Sequence, residues 1–451
     1  MRPDSGPIGQ ALVQGLPAGA ALCVAFSGGR DSTVLLHALA RLRGARGFEL
    51  RAAHVNHGLQ ASARDWELHV AAVATRLEVP YSILGVTVRN GDRGLEAAAR
   101  AARYDALRDE LRPGDRLLTA HHADDQLETV LLHLFRGSGV TGLRGIPRDV
   151  PFGPGRLCRP LLDVPAEALR AYASDILEPQ GISWLTDPMN ADPAYDRAYL
   201  RREVVPVLRR RFPGVASAGG RSAVLAAEAA ELLDDLARAD AEILLSGNRL
   251  ALQPLRAQSP ARQRNLVRYL ARERGWAVPP ERRLREGVAQ LLGSAAGKQP
   301  VLRWGRHEIR RFRQHLYLLD AGAPGEVADA TSLDWSGGET LLLGGQRGAL
   351  SLSLSPKAGA GLAPEIVAGG LQVMFRRGGE RVRAEGDRHH RTLKYLFQAH
   401  GIVPWMRSHV PLIFAGDNLA AVADLWMADW AGAGPSVRGL EIDWSLHAPI
   451  Q

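Results

Sequence analysis

Six residues, Ser27-Gly28-Gly29-Arg30-Asp31-Ser32, bring two glycines, two hydroxyls and a carboxylate into one turn. The glycines let the backbone bend tightly and bring its N–H groups close to a ligand, and the serines add hydroxyl donors. A helix starting behind them contributes the positive end of its dipole, which completes a cradle for phosphate. Asp31 is placed to hold a magnesium ion against such phosphates. The lysine of the Gly-x-x-x-x-Gly-Lys-Ser/Thr pattern is missing, so this is a different nucleotide loop. A second dense cluster is His121-His122-Ala123-Asp124-Asp125-Gln126-Leu127-Glu128-Thr129. At a helix start Asp125 and Glu128 are three residues apart and His121 precedes Asp125 by four, so the three share a face. Carboxylates there can complete a magnesium shell or hold the ammonium group of a substrate. One of Asp124 and Asp125 is expected to cap the helix, which leaves the other for chemistry.

Other candidates are sparser. Arg100 and Arg103 lie one turn apart in an alanine-rich stretch, with Glu96 four residues before Arg100, a pattern that a solvated helix face also produces. His54-Val55-Asn56-His57 sits where a strand should end. Main-chain N–H and C=O groups at such an end can read an adenine edge, which makes Val55 a candidate through its backbone; the two histidines equally suit packing. Arg136-Gly137-Ser138-Gly139 reads as a glycine-stopped helix end. No Ser/His/Asp set and no zinc-ligand spacing is present, so covalent hydrolase and zinc-enzyme readings have nothing to build on.

These residues need elements to hold them. Residues 21–26 are short, apolar and free of breakers, as a buried parallel strand should be, and 33–39 has helical apolar spacing. The phosphate cradle therefore sits on a strand-to-helix turn. Further strands are expected at 48–55, 81–86 and 115–120, alternating with helices at 63–77, 95–111 and 124–134. Such alternation calls for an α/β fold with a doubly wound parallel sheet. Ligands on such a sheet bind outside the carboxyl ends of the strands, where residues 27–32, 54–57 and 121–125 all fall. A looser, proline- and glycine-rich stretch at 147–155 leads to a short helix at 165–177, and Pro213-Gly214 terminates an arginine-laden helix at 197–211. A first domain at residues 1–214 follows. An amphipathic helix at 217–246, with Leu225, Leu232, Leu233, Leu236 and Ile243 as its apolar positions, a basic helical stretch at 260–292 and paired strands at 304–319 make a small α-helical domain at 215–320. Short glycine-punctuated strands and a helix at 392–400 make a C-terminal α+β domain at 321–451.

Composition agrees with an ordinary globular protein: 46% of residues are hydrophobic and 23% charged. The net charge of +8 points towards a polyanion such as nucleic acid. Arginine carries nearly all of the positive charge, since the lysines are Lys298, Lys357 and Lys394 alone. Cys23 and Cys158 lie far apart, which excludes a disulfide framework and a Cys-x-x-Cys site and agrees with a reducing cytoplasm. No apolar stretch approaches the ~20 residues of a membrane span, and no N-terminal signal pattern is present. The expectation is a cytoplasmic protein with no membrane partner.

Taken in order, the loop at 27–32, His54-Val55-Asn56-His57-Gly58-Leu59, Ala99-Arg100-Ala101-Ala102-Arg103-Tyr104, the cluster at 121–129 and Arg136-Gly137-Ser138-Gly139 resemble the N-terminal domain of the bacterial tRNA(Ile)-lysidine synthases. Asp187, Asn190, Asp192, Arg197, Arg201 and Pro206 are similar to the end of that family's catalytic domain, and Arg376-Arg377-Gly378-Gly379-Glu380, Lys394 and Pro404-Trp405-Met406-Arg407 to its last domain. One departure is Arg197-Ala198, where the family usually has Arg-Asn. The resemblance implies an N-type ATP-pyrophosphatase, Rossmann-like catalytic domain and a two-step ligation. ATP adenylates the first anticodon cytidine of tRNA(Ile) with a CAU anticodon, and free L-lysine then displaces AMP. It further implies ATP on Ser27, Gly28, Gly29, Arg30, Asp31, Ser32 and Val55, and Mg2+ on Asp31 and Asp125. The lysine then falls to Asp125, Glu128 or His121, and charge stabilisation to Arg103 and Arg201; a homodimer stays open. The nearest rival, a tRNA 2-thiolation enzyme with the same loop, would need paired cysteines. Arginines in the later domains, with Trp405 as a stacking or core residue, would serve the RNA.

Overall fold

A computed structural model describes residues 6–56, 63–88, 95–186, 195–295, 297–320, 332–344, 347–383, 389–447 and 450. His57, Gly58, Leu59, Asp187, Asn190 and Asp192 lie outside them, as does the side chain of Glu96. The chain divides into two compact units, Met1–Leu233 and Asp234–Gln451.

The first unit begins with α1 (Pro7–Gly15) and then alternates: β1 (Ala21–Ala25), α2 (Arg30–Arg46), β2 (Glu49–Asn56), α3 (Ala63–Arg76), β3 (Tyr81–Gly85), α4 (Leu95–Asp109), β4 (Arg116–Leu118) and α5 (Ala123–Phe135). A single turn, α6 (Val140–Leu143), precedes β5 (Asp149–Phe152) and β6 (Gly155–Cys158). These make one six-stranded sheet in the order β3-β2-β1-β4-β6-β5. All pairings are parallel except the edge pair β5–β6. The doubly wound parallel sheet is thus observed. Its order reverses between β1 and β4, and the crevice at the carboxyl ends of that pair is where such folds bind ligands.

Two stretches differ from expectation. The stretch at 147–155 belongs to a β-hairpin, 149–158, rather than a loose connection, because Gly153, at φ +57°, makes the tight turn and Pro151 sits in an edge strand where no ladder donor is needed. The helical stretch at 260–292 is two helices, Pro260–Glu273 and Glu281–Gly293, broken by Gly275 at φ +67° and by Pro279-Pro280.

After α5 the chain forms α7 (Ala166–Tyr172), continued by a π-helical turn, then α8 (Asp196–Tyr199), a π-helical turn Leu200–Val204, and α9 (Val205–Arg211). The long α10 (Val215–Leu244) corrects the expected amphipathic face. Its buried apolar positions are Ala216, Ala223, Ala230, Ala237 and Leu244, seven residues apart, with Asp240 buried as well, whereas Leu225, Leu232, Leu233, Leu236 and Ile243 are exposed. Small side chains allow close helix approach, so the alanine stripe rather than the leucine stripe packs inward.

The second unit holds two apolar cores. One gathers Leu252, Leu266, Leu270, Leu284, Leu291 and Ile309 between the two helices and an antiparallel sheet. The other lies under a five-stranded antiparallel sheet made by Leu333–Trp335, Leu371–Phe375, Pro411–Ala415, Asn418–Val422 and Trp426–Met427. Helix Leu393–Ala399 packs Leu393, Leu396 and Phe397 into it. Trp405 meets Tyr317 edge-on at 5.2 Å, with the Arg310 guanidinium 5.4 Å from its ring.

Candidate active site

The loop after β1 is held open from several sides. Gly28 has φ +79°, a left-handed conformation that suits glycine, and a Cβ there would lie 3.2 Å from Val70 Cγ2. Gly29 caps α2. Its carbonyl accepts from Ser32 Oγ and Thr33 Oγ1, each at 2.9 Å, and the Ser27 and Ser32 hydroxyls are 3.1 Å apart. Gly28 O accepts from Leu185 N at 2.9 Å, which pins the loop against a later segment. His54 is buried and shares a 2.9 Å hydrogen bond with Phe26 O, so it fastens the end of β2 to the end of β1. Val55 sits beside it at the end of β2, opposite Leu84 of β3.

Asp31 and the start of α5 meet here. His122, the N-cap of α5, places Nε2 3.6 Å from Asp31 Oδ2 and 3.5 Å from Asp125 Oδ2. Burial lowers the pKa of His122, but the bond to Asp31 and the charges of Asp125 and Asp31 outweigh it and raise the net value. Burial would raise the pKa of Asp31; His122, together with Arg30 Nε at 3.0 Å from Asp31 Oδ1, holds it below the ordinary range. Asp31 is therefore ionised at neutral pH.

Asp124 and Asp125 divide their work differently from a simple cap-and-catalyst split. Asp125 accepts from His122 N at 3.0 Å, so it closes the first turn and faces the site at once. Asp124 lies on the far side of the imidazole, its Oδ2 3.8 Å from His122 Nδ1; it accepts from Ala166 N at 2.8 Å and pairs with Arg209, tying α5 to α7 and α9. Glu128, one turn on, is only 1% exposed and receives both Nε and Nη2 of Arg201, at 2.7 and 2.9 Å. Arg201 Nη2 also reaches Asp125 Oδ1 at 3.1 Å. Burial pushes the Glu128 carboxyl upward against the pull of Arg201. An acidic pair already gripped by a guanidinium is chemically fit to grip an ammonium group.

Beside the acids stands a cationic wall. Arg103 and Arg159 are both held at Tyr104, and burial lowers the pKa of each. Arg100 lies 5.1 Å from the Tyr104 ring. Arg197 donates to Thr129 Oγ1 at 2.7 Å. His121 shares a 2.8 Å hydrogen bond with Thr119 Oγ1; burial first, then Arg159, Arg100 and Arg197 against Asp125, push it down to about 4. It is neutral at physiological pH.

The structure thus brings together Ser27 to Ser32, Asp31, Asp125, Glu128 and Arg201, with His121 at the base of the same helix. Sequence reasoning named His122 within its cluster but gave it no role, and it missed Arg159. The signal for His122 was its place immediately before the first turn of α5, and for Arg159 its place just past the carboxyl end of β6. Among the described residues no group of three or more His, Cys, Asp or Glu side chains forms a ready-made metal cage.

Known proteins resemble the chain along nearly its whole length. Residues 8–208 match the model of a PP-loop domain, 250–317 that of a TilS substrate binding domain and 371–444 that of a TilS substrate C-terminal domain. A tRNA(Ile)-lysidine synthase of Alkalilimnicola ehrlichii is 45% identical over 418 residues, 92% of this chain and 92% of its own. That of Methylococcus capsulatus is 40% identical over 438 residues, 96% of this chain and 98% of its own. Among solved structures, a U34-tRNA thiolase of Methanococcus maripaludis aligns at TM-score 0.38 and 18% identity over 46% of this chain and 72% of that chain, a likeness too slight to carry an argument. A phosphate loop and an acidic helix start meeting at the sheet's switch point, with relatives of this identity along nearly the whole chain, place the protein in the tRNA(Ile)-lysidine synthase family.

Proposed function

We propose that the chain joins free L-lysine to the first anticodon cytidine of tRNA(Ile) bearing CAU, at the expense of ATP. The observation that carries this reading is the convergence of Asp31, from the first turn of α2, and Asp125, from the helix after β4, on one imidazole beside the Glu128–Arg201 pair. The loop domain belongs to a family that uses ATP, and its backbone N–H groups and the hydroxyls of Ser27 and Ser32 suit the departing pyrophosphate. Arg30 and the main chain at Val55 complete the proposed nucleotide contacts. Magnesium suits the donor chemistry, since Asp31 and Asp125 each set a hard carboxylate oxygen beside His122 Nε2 and Mg2+ commonly takes one or two carboxylates together with substrate phosphates. Those two residues would hold it, and when bound it neutralises charge on the pyrophosphate.

In the first step the C2 oxygen of cytidine attacks the α-phosphorus and the bond to pyrophosphate breaks. Arg103, with Arg159 beside it, faces the resulting charge. In the second step the lysine ammonium, held by Asp125 and Glu128, gives up a proton, its nitrogen bonds to C2, and the C2–O bond breaks to release AMP. Glu128, made more basic by burial, is the better proton acceptor; His121, pushed down to about 4, is a weak one. Arg201 must leave Glu128 for the lysine to enter. A tRNA substrate supports a cytoplasmic place of action; among the described residues no helix is long and apolar enough to cross a membrane.

The test is incubation with tRNA(Ile) bearing CAU, ATP, magnesium and labelled lysine. Label in the RNA with stoichiometric AMP and pyrophosphate is expected. AMP release without label would refute the lysine assignment, and no AMP would refute the ATP step. A thiolation chemistry would need reactive thiols, but both cysteines are buried, and burial pushes Cys23 up to about 12. Neither cysteine is expected to react with a thiol reagent until the protein is unfolded; rapid labelling of Cys23 or Cys158 in the native protein would reopen that reading.

A further inference from the structure

The hairpin of strands His307–Phe312 and His315–Asp320 meets the C-terminal sheet at a point where arginines gather. Phe312 lies edge-on to Trp405 at 6.3 Å, and two guanidinium groups stand at the Phe312 ring, Arg313 at 5.5 Å and Arg407 at 6.0 Å from its centre. Arg376 joins them, since it follows Phe375, which pairs with Pro411 four residues after Arg407. Ring contacts and strand pairing therefore hold the three arginines in one place. Arg313 donates to Gln398 O and Arg407 Nε to Ile402 O at 3.0 Å, both neutral acceptors, and among the described residues neither arginine meets a carboxylate. Arg376 has Glu380 beside it, but Nε and Oε2 are 3.7 Å apart, too long for a hydrogen bond, and Glu380 Oε1 is taken by the N–H groups of Arg377 and Gly378. Burial first, then the charges of Arg376 and Arg313, lowers the pKa of Arg407. Three positive charges thus share one carboxylate and repel one another. Arg310, near the Trp405 ring, is by contrast neutralised by Glu308 at 2.6 Å.

Arg376 Nε, Glu380 Oε2 and Trp405 Nε1, all in this cluster, are buried without a hydrogen-bond partner. Buried polar atoms are nearly always bonded, so such a group marks a place where a bound ion completes the set. We propose that Arg313, Arg376 and Arg407 form a binding site for a phosphate group where the hairpin joins the C-terminal sheet. Charge and shape select this ligand. Three arginines less the one carboxylate of Glu380 leave a surplus of two positive charges, which one free phosphate or two backbone phosphates balance. Guanidinium forks match phosphate oxygens in pairs. The phosphate group comes from solution or from an RNA backbone. From either source it replaces arginine–arginine repulsion by bonds that span the joint and lock the hairpin to the sheet.

The experiment titrates the full chain with inorganic phosphate at fixed ionic strength, chloride making up the balance. No ATP or lysine is present, so the ligase reading plays no part in the result. By calorimetry the wild type should bind phosphate saturably at one more site than the Arg313→Gln, Arg407→Gln double variant, and phosphate should raise its thermal midpoint further. Arg313→Glu, at an exposed position, sets a carboxylate among the remaining arginines. It should fold as wild type does and lose the same phosphate site, which keeps the test open even where the double variant is unstable. Binding of tRNA(Ile) bearing CAU separates the two sources. With RNA as the source, the double variant binds it roughly tenfold more weakly and inorganic phosphate competes with it; with free phosphate as the source, RNA affinity is unchanged. Equal phosphate stoichiometry in wild type and both variants overturns the proposal, and so does a phosphate response that chloride at the same ionic strength reproduces.

Discussion

Replacing Asp31 by alanine is expected to lower ATP cleavage by roughly a thousandfold, the size of effect seen when a preorganised charge is removed from a developing anion. Asp31 sits in the first turn of α2, directly behind the glycines of the loop. Its carboxyl is held ionised by His122 and Arg30 against the cost of burial, so its charge is in place before any nucleotide arrives. Asp31→Asn should fall almost as far, since it keeps the shape and loses the charge, whereas Asp31→Glu should keep part of the rate. The fold should survive, because Asp31 bonds at the rim of the crevice rather than in the core. Pyrophosphate and AMP release from tRNA(Ile) with CAU measures the effect. Release within tenfold of wild type in Asp31→Ala would remove Asp31 from the pyrophosphate site.

Arg201→Ala should cost both stability and lysine transfer. Glu128 is 1% exposed and its carboxylate is met by two guanidinium nitrogens; without them a buried charge is left with no comparable partner. Breaking a fully buried pair costs about 3–5 kcal/mol, and because Arg201 is itself 47% exposed the expected loss is roughly 2–3 kcal/mol. Adding Glu128→Gln should restore most of it, because the uncompensated charge is then gone. The same Glu128→Gln change alone should slow lysine transfer at least a hundredfold while adenylated RNA still forms, so a single turnover with excess enzyme should accumulate the intermediate. Denaturant melts of the two single variants and the double variant give the coupling directly. Simple addition of the two losses would show that Arg201 and Glu128 do not act as a pair, and equal loss of both chemical steps in Glu128→Gln would remove Glu128 from the lysine site.

Much of the catalytic domain was legible in the sequence because its signals are local. The apolar run at 21–25 and the glycines behind it need no distant partner to be recognised, and helical periodicity alone puts Asp125 and Glu128 on one face. The hairpin at 149–158 was not legible: the same proline and glycine serve a loose connection or a tight turn, and pairing with β4 decides between them. The faces of α10 show the same limit. Its leucine and alanine stripes are both regular, and which one is buried depends on what packs against the helix.

The site divides along the same line. Residue types and their order specify the donors, namely the phosphate loop, three neighbouring acids and two adjacent histidines, and the succession of strands and helices that sets them at strand ends. It took the folded chain to show that His122 rather than His121 stands between Asp31 and Asp125, that Asp124 braces α7 and α9, and that Arg201 holds Glu128 from 73 residues away. The reason is physical. A residue's type and its place within a turn are local properties, whereas the charge that a buried carboxylate or imidazole carries depends on which distant side chain is brought against it.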